Sequence, residues 1–160
     1  MLIPDSYKYN SVDVAMYIIA RANKEHLGIN MTKTQKLLYI AYGACLVIFD
    51  FRLTNEHPQA WPYGPVFPTT RNKLLKCEFD SITFEDDKKL KELDEDQELQ
   101  KLITFVFQGF GEKSAQALTA WSHKDGSPWE RTTCLDSFKW GNQIPDEYIL
   151  DYFKGIIKHE

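Results

Sequence analysis

Cysteine is scarce and scattered: Cys45, Cys77 and Cys134 are an odd number with no CxxC pair. A disulfide framework or a zinc ribbon is not expected from them, and a reducing compartment suits the chain. The four histidines, His26, His57, His123 and His159, share no HxxxH or HExxH spacing, so no metal is expected. No Walker loop is present, and Gly109-Phe110-Gly111 lacks the rest of a dinucleotide fingerprint, so no cofactor is expected either. The longest apolar run, Ile40 to Phe49, is interrupted by Gly43 and ends at Asp50, too short to span a bilayer. Pro4 and Asp5 sit where the apolar core of a secretion signal would begin. These absences point to a cytoplasmic protein with no membrane partner. Excess positive charge is also lacking. The net charge is −4, with +4 over residues 1–77 and −8 over residues 78–160, so nucleic acid is not an expected partner.

What the chain has is aromatic residues: four Trp, eight Tyr and ten Phe in 160 residues. Area scaling for this length buries roughly 70% of the unfolded surface, enough for a core without staples. Helical periodicity dominates. Ser11 can cap a first helix whose apolar positions are Val12, Ala15, Met16, Ile19 and Ala22, closed by Gly28. Thr32 and Gln35 read as a capping box for a second. Its apolar arc takes in Leu37, Leu38, Tyr39, Ile40, Ala41, Ala44 and Ile48, so this helix is expected to be central, with Gly43 and Ala44 admitting a close neighbour. Prolines 58, 62, 65 and 68 exclude a helix there; the spacing predicts an extended segment, Gln59 to Phe67, turning at Gly64-Pro65. Thr69 or Thr70 would cap a short helix to about Cys77, and Phe79 to Phe84 suggests a short strand. After the acidic stretch from Glu85 to Glu98, Leu99, Leu102, Ile103, Val106 and Phe110 mark a helix stopped by Gly109 and Gly111. A short helix from Ser114 to Trp121 ends at Asp125-Gly126-Ser127-Pro128, and a last one starts near Pro145, with Lys154 and Lys158 at its negative end. The expected fold is mainly α: residues 1–160 as one compact helical domain with a short irregular or hairpin excursion.

Catalytic chemistry has one candidate. His123 could act as a general base with Ser122 or Asp125, or it could simply lock a turn by bonding a backbone carbonyl. No nucleophile in a recognisable setting accompanies it, and Cys45 lies inside an apolar helix. Two segments stand apart from the helical background: Ala60-Trp61-Pro62-Tyr63-Gly64-Pro65-Val66-Phe67-Pro68 and Trp121-Ser122-His123-Lys124-Asp125-Gly126-Ser127-Pro128-Trp129. Each concentrates Trp, Gly and Pro in a turn. Rigid aromatic turns suit recognition because they bury area at little entropic cost; they also suit plain packing.

Three blocks together carry a resemblance. They are Thr32 to Gly43 (TKTQKLLYIAYG), Ala60 to Pro68 (AWPYGPVFP), and Leu118 to His123 (LTAWSH) followed by Pro128-Trp129. In order and separation they resemble the Panacea antitoxin domain, a group also described as phage-associated GepA-like proteins, over roughly residues 10 to 155. Ser122 stands where Thr is common in the family, and Ala44-Cys45-Leu46 where a second aromatic is frequent. The resemblance implies a mainly helical, protein-binding antitoxin and not an enzyme. Family members neutralise diverse toxins, commonly ones that shut down translation, and some instead deliver a bound toxin to a Clp protease. The implied partner is a cognate toxin encoded nearby. The partner-binding residues expected on this basis are Trp61, Tyr63, Gly64, Pro65 and Phe67 near the docking face, with Trp121, His123 and Trp129 shaping its support. The acidic stretch from Asp86 to Glu98 would steer a basic toxin.

Overall fold

The computed structural model describes residues 6–157, so Pro4, Asp5, Lys158 and His159 lie outside the described residues. Its centre is the helix Met31–Phe49, α2, and the reason lies in its composition. From Lys33 to Leu46 every residue is buried, because apolar side chains occur all round the helix and not along one stripe. The helices that pack on it most extensively are α1 (Ser11–Lys24), α5 (Gln97–Phe110), α6 (Ala115–Ser122) and α8 (Asp146–Ile157). The helices α3 (Pro68–Leu74) and α4 (Lys88–Glu95) lie against α1, and α7 (Pro128–Thr133) against α8. Gly43 is where α8 comes closest: a Cβ there would lie 2.5 Å from the Phe153 ring. Among the described residues, no helix is long and apolar enough to cross a membrane.

Two small strand pairs complete the mainly helical fold. β1 (Tyr7–Tyr9) runs parallel to β2 (Arg52–Thr54), and β3 (Gln59–Trp61) forms a hairpin with β4 (Gly64–Val66). The hairpin register pairs Trp61 with Gly64, so the turn is Pro62-Tyr63 and not Gly64-Pro65; Gly64 takes the positive φ of 111° just after it. Residues 141–144 run along the other edge of β3, with the Ala60 amide donating to Asn142 and the Gly141 amide to Ala60.

Several local expectations give way to tertiary contacts. Asn10, not Ser11, caps α1, accepting from the Val12 and Asp13 amides; Ser11 turns inward to Glu56, and the helix ends at Lys24, short of Gly28. Asn30, not Thr32, caps α2, and Gln35 reaches across to the hairpin instead of back to its own helix. Neither Thr69 nor Thr70 caps α3, which ends at Leu74. Their amides donate to the Glu56 carboxylate, which also accepts from the Ser11 and Thr70 hydroxyls. Phe79–Ser81 is a 3-10 turn and not a strand, because Asn23 Nδ2 holds the carbonyls of Phe79 and Ile82, both at 2.8 Å. Gly109 is carried inside α5, which runs on to Phe110.

Candidate functional site

The three sequence blocks meet at one junction. Gln35, on the first turns of α2, bonds the backbone of Phe67 both ways, its Oε1 accepting from the amide at 2.7 Å and its Nε2 donating to the carbonyl at 3.3 Å. This fixes the base of the hairpin. The hairpin tip is held from the other side. Trp129 Nε1 donates to the Trp61 carbonyl at 2.7 Å, and His123 Nε2 lies 3.1 Å from the next carbonyl, that of Pro62. The imidazole and the Trp129 ring meet edge to face, 3.9 Å between centroids. Ser127 caps α7 by accepting from the Glu130 amide, and its hydroxyl donates to the Ser122 carbonyl, so this one side chain ties the end of α6 to the start of α7. Trp121 anchors the end of α6 to the core, packed edge-on among Tyr39, Phe110, Tyr152 and Phe153.

The expected site residues therefore fall into two layers. Phe67, expected near the docking face, is fully buried against Tyr42, and Gly64 and Pro65 are buried as well. These three lie under the face because Gln35 draws the hairpin base onto α2. Trp61 and Trp129 are half-buried, and Arg71 lies over the Trp61 ring. Tyr63 is the exposed member, at 76% of its surface, beside exposed Pro62. One further aromatic belongs here that sequence reasoning passed over. Trp140, 57% exposed, is 6.2 Å from the Trp129 ring and packs edge-on against Phe138. Its signal was a tryptophan inside a Gly-Asn turn, Lys139-Trp140-Gly141-Asn142.

Lys36 lies beneath the tip. It is 2% exposed, and a Cβ on Gly64 would meet its Cε at 2.8 Å and the Ser122 Oγ at 2.7 Å. Burial among neutral groups pushes its pKa down to about 8. Lys33, one turn earlier, is also buried and shifted downward for the same reason.

The arrangement around His123 is that of a clamp. Nδ1 lies 2.7 Å from the Thr119 carbonyl and Nε2 faces Pro62, while the Ser122 hydroxyl donates to Thr119 and not to the imidazole. Each ring nitrogen is thus placed against a backbone carbonyl, and the Ser122 hydroxyl is not paired with the ring as a nucleophile would be. Burial pushes the Cys45 thiol up to about 12, and the exposed Cys134 thiol is raised by donating to Glu130, so neither is set up as a thiolate. No group of three or more His, Cys, Asp or Glu among the described residues could hold a metal. The acidic stretch is partly committed to structure. Asp87 and Asp96 cap α4 and α5, Tyr17 donates to Asp94, Tyr9 to Asp96, and Lys8 pairs with Glu98.

Comparison with known proteins bears on the same blocks. The family model described as Antitoxin SocA-like, Panacea domain, matches residues 34–130. Antitoxin SocA of Caulobacter vibrioides (strain NA1000 / CB15N) is 29% identical over 167 residues, covering 96% of this chain and 87% of that protein. No solved structure gives a significant match. The matched span runs from the first turns of α2, through the clamped hairpin, to α7, and on that match the chain belongs to the SocA-like antitoxin family that carries the Panacea domain.

Proposed function

We propose that residues 1–160 act as one unit that neutralises a cognate protein toxin by binding it, with no chemistry of its own. The observation that carries the reading is the clamped hairpin tip in a chain of this family: exposed Tyr63 and Pro62, continued by half-buried Trp61 and Trp129 and exposed Trp140. Aromatic anchors on a backbone already held by side-chain hydrogen bonds lose little freedom on docking. A nanomolar complex needs about −12 kcal/mol, and an interface of roughly 1,600 Å² centred on such anchors is of the size that supplies it. Tyr63, Trp61, Pro62 and Trp140 would touch the toxin. Gly64, Pro65, Phe67, Trp121, His123 and Trp129 would hold the tip in place. The toxin would be one that stops translation, encoded beside this chain.

The test is co-expression with each neighbouring reading frame. A product that arrests growth alone, and not in the presence of this chain, is the expected result; the absence of any such neighbour would count against the reading. Purified toxin and antitoxin then separate two mechanisms. Inhibition without protease or ATP indicates blocking, and inhibition only with a Clp protease indicates delivery for degradation.

A further inference from the structure

The two lysines at the start of α2 are in the wrong place for packing alone. Long basic side chains ordinarily bury the stem and keep the head in water or beside a carboxylate. Lys36 and Lys33 are 2% and 6% exposed, and neither side chain has an ion-pair or hydrogen-bond partner among the described residues. The carboxylates that the hairpin approach and α7 could have supplied are committed. Glu56 serves Ser11, Thr69 and Thr70, and Glu130 serves the Gly126 amide and the Cys134 thiol. The first turn of α2 also holds no acidic residue, so the positive end of the helix dipole adds to the same sign. Burying like charges this way is unfavourable unless an anion arrives. The ammonium of Lys36 is not among the polar atoms sealed from solvent without a partner. Above it Gly64, at φ 111°, contributes no side chain; a Cβ there would sit 3.4 Å from Nζ. Tyr63, the residue before this glycine, is exposed.

We infer that Lys36, with Lys33 one turn away, forms a socket under the Gly64 turn for a carboxylate of the bound toxin, an Asp or Glu side chain inserted beside the hairpin tip. This rests on the antitoxin reading and deepens it. The tip would supply apolar contact, and the socket would reject partners that bring no acid to that point. Lys36 is still protonated at neutral pH, as the pairing requires.

Two experiments test it. In the first, the toxin identified by co-expression is titrated with wild type, Lys36→Met and, as an exposed control on the same face, Lys124→Met. Lys36→Met is expected to bind about 30-fold more weakly or worse while melting no lower than wild type, and Lys124→Met to stay within about threefold. Lys36→Met binding within about threefold of wild type would overturn the socket. The second needs no toxin. The Lys36 Cε–Nζ resonances of wild type are followed in sodium acetate against sodium chloride of matched ionic strength. Acetate should move them more than it moves those of Lys124. Equal responses, or inorganic phosphate moving Lys36 more than acetate does, would overturn the carboxylate assignment. If wild type binds no neighbouring product, the antitoxin reading falls and the acetate experiment decides the socket by itself.

Discussion

Replacing Lys36 by Met should make the free protein more stable, and the gain should depend on pH. A lysine ordinarily titrates near 10.5, and Lys36 titrates at about 8 because burial disfavours its charge. At about 1.36 kcal/mol per tenfold change in proton affinity, holding that proton in the fold at pH 7 costs about 3 kcal/mol. The sign follows from which state binds the proton more tightly. The unfolded chain does, so the cost is complete below pH 8, shrinks between pH 8 and 10.5, and vanishes above. Methionine keeps the unbranched stem and removes the charge. Allowing for relaxation around the ammonium, Lys36→Met should gain about 1–3 kcal/mol at pH 7, or roughly 3–9 °C in Tm for a chain of this size. The assay is urea or thermal unfolding of both proteins by circular dichroism from pH 7 to 10.5. Taking the difference between the two cancels the titration of groups they share, including the tyrosines and Lys33. The advantage should fall steadily as pH rises through 8. A Lys36→Met protein less stable than wild type at pH 7, or a difference indifferent to pH, would refute the reasoning and make Lys36 an ordinary packing residue.

Tyr63→Ala removes the exposed ring at the tip, which makes no hydrogen bond inside the described fold; stability by urea titration should change by less than about 0.5 kcal/mol, while toxin affinity by calorimetry drops at least about tenfold. Gly43→Ala places a methyl 2.5 Å from the Phe153 ring, and unfolding experiments should show a loss of about 1–3 kcal/mol from overpacking between α2 and α8. Trp129→Phe keeps the ring but removes the N–H that the Trp61 carbonyl accepts. A loss of about 1–2 kcal/mol is expected, with amide exchange at Gly64 faster than in wild type.

Where helices lie was legible wherever apolar periodicity was long and strong. α2 is central, as its all-round apolar sequence requires, and Gly43 does admit α8. The hairpin was legible as an extended proline-rich segment, but its turn was not, since the register depends on Gln35 and Trp129 gripping the backbone from elsewhere. The same holds for the caps: a threonine can cap a helix, yet Asn30 sits two residues earlier and does so. Six-residue α7 is too short to show a period, and the parallel pairing of β1 with β2 joins segments some forty residues apart. Among candidate site residues, the tryptophans and His123 were visible as unusual turn chemistry. Whether each ring faces inward or outward was not, because neighbours distant in sequence decide it. Residue type alone does not mark Lys33 and Lys36 as buried, since lysine is mostly exposed. The contrary signal was the helix around them, which is apolar on every side and leaves no face for a lysine to point to water.

The hairpin clamp has a consequence for how such a scaffold diversifies. His123 and Trp129 grip carbonyl oxygens, which every amino acid possesses, and not the side chains of Pro62 or Tyr63. Residues at the tip can therefore be exchanged with little effect on what holds the loop in place. A lineage could retarget the molecule by rewriting one or two codons while the frame beneath stays as it is.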